Sequence, residues 1–302
     1  MLAPRTHMIK LHVPEPFGTV HINVLDWGDE NAPRTVLCVH GLTRNAHDFD
    51  WIAAELATQG KRVFALDMPG RGDSPWLENP MLYGYPLYTS VCLAFIDNFH
   101  LRGVEWIGTS MGGLIGMMIA ATQPKRISKL VMNDIGARLS AEGLERIMQY
   151  VASLPSRFED EADAQAYMRK AFASFGIQDE AVWQAFIAHS TRPHPDGGLM
   201  PKTDPDIAKP LLAAAEATSG GPVDLVSVWE DVSCPTLIVR GEHSDLLAPE
   251  TVSAMLARNI RAESVTMKGC GHAPSFTTPE QIRVIAQFLS RGNMIPEQAV
   301  GV

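Results

Sequence analysis

Short apolar runs rich in β-branched residues recur along the chain between stretches of helical periodicity. They are Val36-Leu37-Cys38-Val39, Val63-Phe64-Ala65-Leu66, Val104-Glu105-Trp106-Ile107, Leu130-Val131-Met132, Thr236-Leu237-Ile238-Val239 and Ser264-Val265-Thr266-Met267. A strand covered by helices on both faces has no polar face to show, so it reads as a near-continuous apolar run. The alternation therefore predicts an α/β architecture, a mostly parallel central sheet flanked by helices. The segment Thr19 to Trp27 alternates like a half-exposed strand and ends in the turn-forming cluster Gly28-Asp29-Glu30-Asn31, which predicts the start of an antiparallel edge.

The strand–helix rhythm stops after Asp134 and resumes at Cys234-Pro235. Between them the pattern is almost wholly helical. Leu144, Ile147, Met148 and Val151 fall at i, i+3, i+4 and i+7, with Ser140 placed to cap that helix, and Ala164, Tyr167, Met168, Ala171, Phe172 and Phe175 continue the same logic. A polar, Pro/Gly-rich stretch from Arg192 to Pro210 interrupts the helices, and Ser219-Gly220-Gly221-Pro222 marks a hinge before the return. The expected organisation is a catalytic core of 1–136 and 231–302 carrying a helical cap inserted at 137–230.

Composition narrows the partners. The 302 residues are 46% hydrophobic and 20% charged, with 25 Lys and Arg against 34 Asp and Glu for a net charge of −9. That excludes an extended basic face for nucleic acid or anionic membrane. No window approaches a membrane span and the first residues lack a signal-peptide core, so the expected location is cytoplasmic. Cys38, Cys92, Cys234 and Cys270 are scattered without a CxxC pair and read as reduced core thiols. Gly70-Arg71-Gly72 follows a strand, but Pro75 stands where a dinucleotide fingerprint needs its third glycine. With no P-loop lysine motif, no HExxH and no metal-ligand spacing, neither a cofactor nor a metal is expected.

The chemistry is concentrated at Gly108-Thr109-Ser110-Met111-Gly112-Gly113, between the strand ending at Ile107 and the apolar helix Leu114 to Ala121. This is the context of a nucleophile elbow: a serine on a turn too tight for side chains two residues to either side, facing the positive end of a helix. A serine hydroxyl needs a base, and the base needs an orienting carboxylate. In the expected order Ser, acid, His, the base is His272, in the Gly-rich loop after the last strand, rather than His243. The acid is expected to be Asp245, after the strand Thr236 to Val239, with Asp134 as its competitor and otherwise a residue shaping the entrance to the cap. Backbone N–H groups of Met111 and of Leu42, in His40-Gly41-Leu42-Thr43, are the expected oxyanion donors. Met148, Trp183, Phe186 and Trp229, with Tyr167, are candidates to line an apolar acyl pocket or, residue by residue, to be cap core.

Together with the segment Asp67-Met68-Pro69-Gly70-Arg71-Gly72-Asp73-Ser74, these motifs occur in the order found in the α/β-hydrolase superfamily, which the chain resembles from about Val36 to Leu289 outside the cap. More narrowly it resembles bacterial serine carboxylesterases, some of which accept polyester chains. The resemblance implies a helical lid, no cofactor, and hydrolysis of a small-molecule or polymeric ester through an acyl-enzyme. Lactonases, C–C bond hydrolases and perhydrolases share the Ser-Met-Gly elbow; for a lactone or C–C substrate, Arg192 and His189 are the cap residues that would meet an acid group. Dehalogenases and epoxide hydrolases carry aspartate where this chain has Ser110. A ligand-binding protein on the same scaffold is the third reading. Oligomeric state is not written in the sequence.

Overall fold

The computed structural model describes residues 2–217 and 222–291. Eight strands form one sheet: β1 (Arg5–Val13), β2 (Gly18–Trp27), β3 (Thr35–Val39), β4 (Arg62–Leu66), β5 (Val104–Thr109), β6 (Ile127–Asn133), β11 (Thr236–Gly241) and β12 (Ala262–Met267). Their order is β1-β2-β4-β3-β5-β6-β11-β12. Every neighbour from β4 onward pairs in parallel, and β2 alone runs against the rest, pairing antiparallel with both β1 and β4. All the predicted strands are present. The strand Arg5–Val13 is not among the predicted ones: it lies outside β2 as the true sheet edge, where Ile9, Leu11 and Val13 alternate with exposed Lys10 and His12, a run too short to stand out beside the solvent-facing Arg5, Thr6 and Met8.

Helices cover both faces: α1 (Asp50–Thr58) and α10 (Pro279–Ser290) on one side, and α2 (Tyr85–Asn98), α3 (Met111–Thr122), α8 (Val226–Glu230) and α9 (Pro249–Leu256) elsewhere around the sheet. Strand residues alternate between two buried clusters. Leu37 and Val39 face one, while Val36 and Cys38 face the other, which is why β3 carries no polar side chain at its centre. All four cysteines are free and buried.

From β6 to β11 the chain leaves the sheet. It runs through α4 (Ala141–Ala152), α5 (Glu161–Ala171), α6 (Glu180–Ser190) and α7 (Ala208–Ala217) before α8. Ser140 caps α4, its hydroxyl accepting from the Gly143 N–H. The stretch is not wholly helical: β7 (Arg138–Leu139) pairs with β10 (Val223–Asp224), and β8 (Thr191–Pro193) with β9 (Leu199–Pro201). These ribbons are only two or three residues long, too short to leave a periodic signal. Part of the inserted segment has a core of its own, in which Phe172, Phe175, Trp183 and Phe186 pack edge to face with centroids 5.1–5.9 Å apart where they touch, and Phe158 packs tilted against Tyr167 at 5.5 Å. Of the hinge predicted at Ser219-Gly220-Gly221-Pro222, the first three residues lie outside the described residues.

Candidate active site

At the carboxyl end of β5 the chain turns abruptly into α3, and Ser110 occupies the corner at φ 51°, ψ −111°. The flanking glycines are dictated by space. A Cβ at Gly108 would lie 2.2 Å from the Gly112 carbonyl oxygen, and one at Gly112 would lie 1.9 Å from the Val39 carbonyl oxygen. Ser110 is thus lifted out of the sheet at the first turn of α3, whose leading N–H groups have no partner within the helix.

Three loops from three strand ends meet there. His272, beyond β12, presents Nε2 to Ser110 Oγ at 3.1 Å and Nδ1 to an Asp134 carboxylate oxygen at 2.8 Å. Asp134 follows β6 directly, with φ 55°, and is fully buried. Its Oδ1 accepts from the Gly241 N–H at 2.7 Å, and Oδ2 from the Ser244 hydroxyl at 2.6 Å as well as from His272. A carboxylate removed from water in this way is held by three donors and has little freedom to turn. With its Nδ1 on the carboxylate, the imidazole leaves Nε2 free to receive the serine proton.

The expectation that Asp245 orients His272 is corrected by this geometry. Asp245 is exposed, its side chain 60% accessible, and it pairs with Arg146 on α4. The reason lies in the turn after β11, where the Ser244 N–H bonds back to the Gly241 carbonyl. That turn directs Ser244 at Asp134 and carries the next residue outward. The distinguishing signal is position: Asp134 is the first residue after β6, whereas Asp245 is four residues past the end of β11. His243 is exposed beside Glu242.

The loop after β3 passes against the nucleophile, with the Cβ position of Gly41 3.8 Å from Ser110 Cβ. Neither the Leu42 nor the Met111 N–H finds an acceptor among the described residues. The Leu42 N–H shares a rigid peptide plane with the Gly41 carbonyl, and that carbonyl is fixed by the Arg44 N–H at 3.1 Å and His40 Nδ1 at 2.7 Å. His40 Nε2 accepts from the Met68 N–H, so the ring proton sits on Nδ1 and donates to Gly41. Burial keeps this imidazole neutral, its pKa pushed down to about 3.

A depressed histidine pKa implies stability that is complete above the unfolded value of about 6.5 and is lost as pH falls towards 3. The loss attributable to His40 is on the order of 4 kcal/mol once pH reaches its folded pKa of about 3. Denaturant titrations between pH 7.5 and 4 should show wild-type stability falling more steeply than that of His40→Gln, and equal slopes would refute the assignment.

The Asp67–Ser74 segment is structural. Asp67 accepts from the N–H groups of Ala46 and Asp73 and from the Asn23 amide, and a Cβ at Gly72 would strike its carboxyl group at 2.2 Å. The knot places buried Arg71 so that Nε donates to the Leu42 carbonyl at 2.8 Å.

The aromatic candidates separate. Trp229 is fully buried in the main core, its indole N–H donating to the Met255 carbonyl. Trp183 and Phe186 belong to the core of the insertion, and Met148 and Tyr167 are half-buried on α4 and α5. Phe186 also borders a cavity of about 20 Å³, with Thr109, Phe175, Arg44 and His189 among its other walls. Arg192 lies over the Trp76 ring at 4.7 Å, and His189 stacks on His47 at 3.6 Å beside Asp50. Burial and the neighbouring His47 push the His189 pKa down to about 4. No helix among the described residues is long and apolar enough to cross a membrane.

A strand–serine–helix corner served by a histidine and a buried carboxylate, on a sheet of this order, defines a class of hydrolases, and residues 36–283 match the alpha/beta hydrolase family. The chain belongs to that family and is a hydrolase. It is 38% identical over 281 residues to a 3-hydroxybutyrate-oligomer hydrolase of Cupriavidus necator, covering 91% of this chain and 94% of that protein. Among solved structures it resembles a putative hydrolase from Rickettsia typhi, with a TM-score of 0.87 and 32% identity over 94% of this chain and 98% of that one. An alpha/beta hydrolase from Novosphingobium aromaticivorans gives a TM-score of 0.82 at 32% identity, covering 97% and 100%.

Proposed function

We propose that the protein is a serine carboxylic ester hydrolase working through an acyl-enzyme, with Ser110, His272 and Asp134 as its catalytic triad. The observation that carries this reading is the unbroken relay of 3.1 and 2.8 Å from Ser110 through His272 to Asp134. Ser110 Oγ attacks the ester carbonyl as its proton passes to His272 Nε2, and the imidazolium is stabilised by Asp134. The carbonyl oxygen becomes an alkoxide at the Leu42 and Met111 N–H groups. On collapse the C–O bond to the alcohol breaks and His272 protonates the leaving alkoxide. Water, deprotonated by His272, then attacks the acyl-serine, and collapse returns the proton to Ser110 and releases the carboxylic acid.

Short oligomers of 3-hydroxybutyrate, on which the Cupriavidus relative acts by name, are the natural first substrates. Residues 137–230 would act as the cap, with Phe186 and Met148 the candidates for its acyl-facing wall. Incubation with 3-hydroxybutyrate dimer and trimer, beside p-nitrophenyl acetate, butyrate and octanoate, tests the reading. Ser110-dependent release of 3-hydroxybutyrate supports it. Hydrolysis of the p-nitrophenyl esters alone would keep the esterase and discard the oligomer, and no ester turnover by the folded protein would overturn the proposal.

A further inference from the structure

The four residues that follow Gly41 are all held from outside their own loop. Leu42 gives its carbonyl to Arg71 Nε at 2.8 Å. The Thr43 carbonyl accepts from the Thr203 hydroxyl at 2.8 Å, and the Thr43 hydroxyl pairs with the Tyr150 hydroxyl, also at 2.8 Å. Arg44 donates from Nη1 to the Ser190 hydroxyl at 2.9 Å while its guanidinium lies 3.6 Å over the Phe186 ring, and the Asn45 amide donates to the His189 carbonyl at 3.0 Å. Tyr150, Phe186, His189, Ser190 and Thr203 all belong to the inserted segment. Thr43 and Thr203 are both buried, so the bond between them is shielded from water.

We infer that the seat of the insertion on Thr43 sets the direction of the Leu42 N–H, making Thr203 and Tyr150 positioning residues for the oxyanion site. The inference rests on the reading of Ser110 as nucleophile and Leu42 as donor. The Gly41 carbonyl is held from the core side by His40, but its second donor, the Arg44 N–H, lies on the far side of Thr43, so the Leu42 peptide plane is fixed only as firmly as Thr43 and Arg44 are. Anchoring Thr43 from the insertion therefore completes the constraint. An oxyanion donor must lie 2.7–3.1 Å from where the charge develops, and a misplacement of about 1 Å costs about a hundredfold in rate. The substrate carbonyl carries little charge in the ground state, so a displaced donor lowers kcat and leaves KM nearly unchanged.

Thr203→Val and Tyr150→Phe remove one hydroxyl each and keep the volume. Both should lower kcat for p-nitrophenyl butyrate by about tenfold with KM within about twofold, smaller than the loss of a whole donor because the loop is displaced and not removed. Affinity for a trifluoromethyl ketone, which forms an anionic tetrahedral adduct on serine, should fall by the same factor. Thr203→Ser should restore both. Lys202→Met, which breaks the insertion-to-core ion pair with Asp73 at 2.7 Å without touching the loop, should change neither. Unchanged kcat and inhibitor affinity in both Thr203→Val and Tyr150→Phe, or a rise in KM alone, would overturn the inference. Should Thr203→Val lose its folded circular dichroism spectrum, Tyr150→Phe decides. If Ser110→Ala is inactive while these variants match the wild type, the positioning role alone fails; if wild-type activity does not depend on Ser110, the underlying reading fails first.

Discussion

Ser110→Ala is expected to lower ester hydrolysis by about 10⁴- to 10⁶-fold while leaving the protein folded. Alanine removes the attacking oxygen and, having a Cβ as serine does, adds nothing to a corner already shaped by Gly108 and Gly112. What rate persists would come from the Leu42 and Met111 N–H groups acting on a bound ester attacked by water, as in serine hydrolases generally once the nucleophile is removed. The measurement is kcat/KM on p-nitrophenyl butyrate with thermal melts of both proteins alongside. Retention of a tenth of the wild-type activity would place the nucleophile elsewhere.

The second large effect separates two aspartates that sequence reasoning ranked the other way round. Asp134→Asn should reduce kcat by about 10³- to 10⁴-fold, because an amide facing His272 Nδ1 no longer favours the tautomer that leaves Nε2 free to accept the serine proton. Asp245→Asn should leave kcat within about twofold. Its carboxylate is exposed and its partner Arg146 is 41% accessible, and ion pairs of that kind contribute about 0–1 kcal/mol. The reverse outcome, with Asp245→Asn crippled and Asp134→Asn active, would contradict the geometry of the site.

The contrast between these residues shows how far the sequence reaches. Strands buried on both faces, such as β3 and β4, are legible because their side chains are almost all apolar, and the elbow is legible because a Cβ at its glycines would meet backbone atoms, 1.9 Å away in the case of Gly112. His272 could be placed because a Gly-rich loop after a strand end offers few alternatives. The two aspartates differ in placement: Asp134 stands directly after β6, while the turn after β11, closed by the Ser244 N–H on the Gly241 carbonyl, carries Asp245 outward, and that closure has no sequence signature. In the edge strand Arg5–Val13 the alternation spans only Ile9 to Val13, and the solvent-facing Arg5, Thr6 and Met8 before it dilute the signal. Contacts from Tyr150, Ser190 and Thr203 to the loop after β3 cross more than 100 positions and involve ordinary polar residues. Local periodicity carries no information about them.

The covalent step itself is the most direct test. Wild-type protein incubated with a fluorophosphonate, digested and mapped by mass spectrometry should carry one phosphonyl group, on Ser110, and Ser110→Ala should carry none. Labelling of the wild type at another residue, or persistent labelling of Ser110→Ala, would contradict the assignment of Ser110 as the nucleophile.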